Sequence, residues 1–420
     1  MNSFKINRLT FLSLFSSSFK VLVGPLTLLF LAKFLSSEEL GFYYTFFSLV
    51  AMKQLLEIGM SNVLKQYYAY ENKAASKSRE KINNYFIFSV RWYFILALSF
   101  SILSIIVGYI YFYNYKGVVK WETSWYLLIF GTFLSILVMP FQTYLDGNQF
   151  QKELQTFNII SQVSGTFILW LALYLKLNLY AIGLSVITTS VFFVLCLSIN
   201  RNKLLKISFS SENFIFKNIF YELWPLLKKT GFVWFLGYFY WNGFNIIAFK
   251  YLGPINAGII GLSISLGRAG LNVASSIVIS HMTIYAKYIS SKQYERAYND
   301  FIKNAISGLV ILIIGYSLFL ISQEIFKDFY FFKKVLQLDQ IFWMFLFFIL
   351  CYITSVMDNY TRCYKVEKFV FVQLFNSVFT PFLFFVSMYL DAPYFSGPVL
   401  IIIIVLFMTY KIFIDVKNNN

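Results

Sequence analysis

Apolar runs long enough to cross a lipid bilayer fill nearly all of this 420-residue chain, and several carry a cation near the middle. In a helix, about 20 apolar residues span the roughly 30 Å of bilayer hydrocarbon. The runs are continuously apolar and lack the period-two alternation of membrane barrels, so helices are the expected element. A lysine or arginine at mid-span costs at least ~2.5–3.5 kcal/mol unless it faces a bundle interior or a watery cavity. The chain repeats that cost at Lys20, Lys53 and Arg268, on three different predicted helices. The pattern predicts an all-α, polytopic membrane fold around a cationic cavity.

The residues are 59% hydrophobic, 21% aromatic and only 13% charged, too few polar groups to cover a soluble protein of this length. The predicted spans are 9–35, 41–67, 85–110, 122–145, 156–176, 179–199, 223–249, 255–286, 304–322, 340–362, 368–390 and 395–415. They leave loops and tails but no separate catalytic domain. The net charge of +16 sits mostly in short loops, where it orients the protein and meets anionic lipid rather than nucleic acid. The basic start (Lys5, Arg8) leads into an apolar run too long for a cleaved signal, so it is expected to stay as the first helix. Cys196, Cys351 and Cys363 share no metal-type spacing and read as packing residues.

Even-numbered connections plus the tails hold 20 lysines and arginines, and odd-numbered connections hold 8. That bias predicts both termini in the cytoplasm. The polar stretch 200–222 divides the spans six and six, giving expected lobes at 1–205 and 206–420. An internal echo supports the division. Lys33-Phe34-Leu35 with Gly41 matches Lys250-Tyr251-Leu252 with Gly258 at an offset of 217. Ser48-Leu49 then falls on Ser265-Leu266, and Tyr68-Ala69 on Tyr285-Ala286; Tyr144 pairs with Tyr360, and Lys152 with Lys368, at 216. Both copies start on the same side, so the repeat is parallel, and substrate sites in such transporters lie between the lobes.

The stretch Leu29–Tyr43, with Lys33-Phe34-Leu35-Ser36-Ser37-Glu38-Glu39-Leu40-Gly41 at its centre, resembles the first junction of Wzx-type O-antigen flippases. These are polysaccharide transporters of the multidrug/oligosaccharidyl-lipid/polysaccharide exporter superfamily. Their usual Leu-Gly-Pro at this place is replaced by Leu35-Ser36-Ser37 but returns at Leu252-Gly253-Pro254, before Ile255-Asn256-Ala257-Gly258. Leu145-Asp146-Gly147-Asn148-Gln149-Phe150-Gln151-Lys152 is similar to the family's fourth-to-fifth helix link. The resemblance implies a V-shaped bundle of two six-helix lobes in the bacterial inner membrane. It would flip undecaprenyl-pyrophosphate-linked oligosaccharide from the cytoplasmic to the periplasmic leaflet by alternating access. It further implies bilayer lipids, an O-antigen polymerase and a chain-length regulator as partners, a functional monomer and no cofactor. Related flippases carry cavity cations on the first, second and eighth helices, where Lys20, Lys53 and Arg268 lie here.

The residues support an anionic substrate independently. A pyrophosphate that leaves water needs its charge matched inside the bilayer, and arginine adds bidentate geometry. Arg91, Lys228 and Lys229 lie near cytoplasmic helix ends, where either snorkelling or a place at the cavity mouth fits. Lys65 reads as a simple anchor. Glu57 is the one carboxylate deep in a span. It is expected either to carry protons or, as the favoured role, to stand as counter-ion to Lys53 four residues earlier. Trp234, Tyr238, Trp241 and Asn245 share one face of the seventh helix and are candidates for sugar contacts or for plain packing. Gly24-Pro25 interrupts the first helix near Lys20.

Two other classes compete. An exporter of cationic drugs in the same superfamily would want carboxylates in the cavity, whereas the mid-span charges here are mainly positive. A membrane glycosyltransferase or polymerase would want a large outside loop, and the longest, 323–339, is short. His281 has no evident catalytic partner, so no enzyme activity is expected.

Overall fold

In the computed structural model the described residues are 23–71, 78–205, 214–364, 366 and 368–418, with the side chains of Ser78, Lys229, Thr230, Phe232, Val233, Trp234 and Leu236 left out. Every described element is helical. In chain order they are α1 (Val23–Phe34), α2 (Ser37–Val50), α3 (Lys53–Glu57), α4 (Met60–Glu71), α5 (Ser78–Phe112), α6 (Glu122–Gly147) and α7 (Gln151–Tyr174). Then come α8 (Tyr180–Ile199), α9 (Arg201–Leu204), α10 (Phe216–Ser290), α11 (Tyr294–Ile325), α12 (Leu338–Arg362), α13 (Val370–Tyr389) and α14 (Ser396–Asn418). Nine of the described helices are long and apolar enough to cross a membrane. On α11, Ile306, Val310, Ile314, Leu318, Ile321 and Ile325 are all exposed. A stripe of that kind is tolerable in hydrocarbon and not in water, so the chain is a multi-pass membrane protein.

Two expected spans take a different form. Residues 41–67 do not make one helix. The chain breaks after Val50 and again at Ile58 (φ 48°, ψ 26°) and Gly59 (φ 77°), two successive residues of positive φ. The seventh and eighth spans instead run together as α10, with a single non-helical residue, Gly253 (φ 80°, ψ 172°), between them. That φ is open to glycine and strained for other residues, so the Gly253-Pro254 pair turns the chain where the two expected spans meet.

Contacts divide the chain into two compact units, one made of residues 46–235 and the other of 24–45 with 236–418. In the first unit α6, α7 and α8 pack through small residues, which lets backbones approach closely. A Cβ on Gly131 would stand 3.1 Å from the carbonyl oxygen of Gly183, and Ser185 Oγ donates to the Gly165 carbonyl at 2.8 Å. Tyr68 on α4 meets Tyr85 on α5 and Tyr144 on α6, with ring centroids at 6.2 and 5.7 Å. In the second unit Tyr285 on α10 meets Phe301 on α11 and Tyr360 on α12 at 6.1 and 5.8 Å. The two triangles are built from residues 216 or 217 apart in sequence.

The same offset governs a crossing inside the second unit. Ser36 and Glu39 form a reciprocal cap at the start of α2, Ser36 N–H on Glu39 Oε2 at 2.8 Å and Glu39 N–H on Ser36 Oγ at 3.1 Å. One turn later Gly41 lies against Pro254, and Gly258 lies against Ser37. A Cβ would stand 2.0 Å from the Pro254 oxygen at Gly41 and 2.1 Å from the Ser37 oxygen at Gly258. Gly258 is Gly41 plus 217, and Pro254 is Ser37 plus 217, so the contact is reciprocal. Only a residue without a side chain permits it.

Between α11 and α12, Lys334 donates to the carbonyls of Ala32, at 2.8 Å, and Leu35. These are among the carbonyls that the end of α1 leaves without helical partners. Burial pushes the Lys334 ammonium below its ordinary value, while Glu39 opposes the shift.

Candidate functional site

The sequence-predicted cations fall into distinct environments. Lys20 lies outside the described residues, as do the side chains of Lys229 and Trp234. Arg91 is exposed on α5, its guanidinium carbon 4.6 Å from the centre of the Phe214 ring. Lys228 is exposed on α10. Lys65 pairs with Asp146 at 2.6 Å across α4 and α6.

Lys53 opens α3 and is half-buried. Glu57, at the other end of this five-residue helix, is buried. The two have the i, i+4 spacing of a helical ion pair, yet they form none among the described residues. Tyr93 Oη donates to Glu57 Oε1 at 2.9 Å, and the Ser61 backbone N–H donates to the same oxygen at 3.1 Å. Ser61 lies in the first turn of α4, so the carboxylate caps the helix that restarts after the break at Ile58-Gly59. Tyr93 is fully buried on α5. Nothing in the linear spacing announced it, because it reaches Glu57 from another helix. Among the described residues the carboxylate thus has two donors, and the Lys53 ammonium has no ion-pair contact, its attraction to Glu57 acting only through space.

Arg268, on α10, stands in the second unit. One of its Nη2 hydrogens goes to the backbone carbonyl of Trp241, and its guanidinium carbon is 4.9 Å from the centre of the Trp241 ring. Its Nε is buried with no acceptor among the described residues, and no carboxylate pairs with it there. Tyr240 meets the Trp241 ring edge-on, with centroids 4.7 Å apart, and its Oη lies 3.1 Å from Cys351 Sγ. Cys351 is therefore more than filler, a role its isolated position in the sequence did not signal.

The expected aromatic face of the seventh helix does not present itself uniformly. Tyr238 and Asn245 are buried, whereas Trp241 is 38% exposed. Helical spacing placed these residues on one side, but the neighbouring helices cover that side unevenly.

The bundle of apolar helices thus holds two half-buried cations, Lys53 and Arg268, without carboxylate partners among the described residues. Comparison with solved structures finds that architecture. The chain is similar to an inward-facing multidrug resistance MATE family transporter of the MOP superfamily. The TM-score is 0.71 at 13% identity, over 95% of this chain and 96% of that one. It is similar to the lipid II flippase MurJ in an inward closed conformation, with TM-score 0.65 and 14% identity over 98% and 90% of the chains. An outward-facing MATE transporter gives 0.61 at 12% identity over 98% and 97%. The fold is shared with these transporters. No known protein-family description matches the chain, and no curated protein does either.

Proposed function

We propose that this protein is a flippase of the MOP superfamily, moving a polyprenyl-pyrophosphate-linked oligosaccharide of the O-antigen type from the cytoplasmic to the periplasmic leaflet. The observation that carries the reading is Arg268, a mid-span guanidinium held by a carbonyl and a ring instead of a carboxylate. Leaving a cation uncompensated in a membrane is costly, and an anion supplied by the substrate offsets that cost during each cycle. Lys53, half-buried and without an ion pair among the described residues, offers a second such charge in the other unit. The resemblance of the Leu29–Tyr43 stretch to polysaccharide transporters, and the fold shared with a lipid II flippase, support a lipid-linked sugar. The expected six-and-six lobes, inner-membrane location and cytoplasmic termini belong to the same proposal, as does action without catalysis.

The test is transport. Native protein in proteoliposomes should move a fluorescent polyprenyl-pyrophosphate oligosaccharide to the opposite leaflet, and Arg268→Ala or Lys53→Ala should slow it at least tenfold at equal abundance. Normal transport in both variants would remove the proposal.

The MATE fold match favours one further reading, export of small molecules, with buried Glu57 as the group that meets a cation. Efflux of a cationic dye that depends on Glu57 and not on Arg268 would select it.

A further inference from the structure

Resting on the flippase reading, we propose that Trp241 is the platform for the first sugar of the substrate, the one joined directly to the pyrophosphate that Arg268 binds. Arg268 has five N–H groups. One is spent on the Trp241 carbonyl, and the Nε–H is buried. The residue as a whole is half-buried, Nε alone of its nitrogens is buried without a partner among the described residues, and its place is set by Trp241, through both the backbone oxygen and the ring 4.9 Å away. An anion bound by the guanidinium therefore sits beside the indole.

The chemistry of a glycosyl pyrophosphate decides what comes next. Its first sugar is attached to phosphorus through a single oxygen, so the anomeric carbon lies only two bonds from the phosphorus of the phosphate that the guanidinium binds. The ring available there is Trp241. It is 38% exposed, while Tyr238 (3%), Tyr240 (9%) and Asn245 (7%) are covered. Tyr240 braces it edge-on, fixing the plane that a sugar would meet. In hydrocarbon the free N–H groups of Arg268 beside it would lack acceptors, so a polar ligand on this side offsets their cost. Trp241 thus reads as a specificity-determining residue, with Arg268 taking the charge and the indole taking the saccharide.

Binding of two probes to the reconstituted native protein separates these roles. One probe is bare undecaprenyl pyrophosphate, and the other is the same lipid carrying one hexosamine. Trp241→Ala removes the ring beside Arg268 as well, so it should weaken both probes, but the sugar-bearing one about tenfold more than the bare one, the scale of one aromatic contact. Trp241→Phe keeps a ring and should retain most of the difference, which also guards against misfolding of the alanine variant. Arg268→Ala should weaken both probes by the same factor. Equal weakening of both probes by Trp241→Ala, or of neither, would overturn the sugar platform while leaving the flippase reading intact. Failure of the native protein to bind either probe would remove both.

Discussion

Glu57 satisfies its charge through a phenol and a backbone amide, and this changes what its neighbours are free to do. Losing the carboxylate strips Tyr93 Oη and the Ser61 N–H of an acceptor, which costs roughly 1–4 kcal/mol for one buried and one part-buried donor. Glu57→Ala should therefore lower the unfolding midpoint clearly, and Glu57→Gln, which keeps a neutral acceptor, should lower it less. Lys53→Met should leave that midpoint nearly unchanged and act on transport. With no direct ion pair between Lys53 and Glu57 among the described residues, only through-space attraction couples them, so the stability effects of Lys53→Met and Glu57→Gln should add to within about 1 kcal/mol. Thermal unfolding in detergent checks this, and a rescue in the double variant would restore the ion-pair interpretation. The spacing of Lys53 and Glu57 was legible in the sequence and suggested a pair. What spacing does not carry is the competition from Tyr93, which arrives 36 residues later along the chain.

Four helices, α6, α8, α12 and α13, match their apolar runs to within two residues at both ends, whereas α5, α7 and α11 start five to ten residues earlier than expected. The second span fails because hydropathy measures greasiness and not backbone continuity. Met52 to Met60 is apolar enough to read as helix, yet Ile58 and Gly59 adopt positive φ, and the cap from Glu57 satisfies the amide thus freed. Gly59→Ala should cost about 1–2 kcal/mol, the scale of a strained left-handed residue. Urea unfolding of the purified protein measures it, and an unchanged midpoint would show that the break is not required. Lys334 belongs at this scale too, since it ties the α11–α12 connection to the end of α1. Lys334→Met leaves the carbonyls of Ala32 and Leu35 without their donor and should lower the midpoint by a few degrees. Its sequence context, among lysines of an outside loop, suggested only a surface charge.

For the molecule as a whole, membrane placement was readable from run length, and the basic loops predict an orientation that labelling can test. With the three native cysteines replaced, single cysteines in 200–222 should resist an impermeant thiol reagent in intact cells, while those in 326–337 should react. Labelling of the first set from outside would invert the topology. The offset of 217 was visible as scattered identities, and its meaning lies in what those residues touch. Tyr68 and Tyr285 anchor matching ring triangles, and Gly41 meets Pro254 as Gly258 meets Ser37. A contact that maps onto itself when partners are exchanged is the mark of identical subunits meeting about a two-fold axis. Here the exchange relates residues 217 apart within one unit, each glycine facing a backbone carbonyl of the other helix. The crossing then tolerates no growth from either side: a methyl group added at Gly41 should be as damaging as one added at Gly258, and shrinking the facing residue on one side should not repair the other.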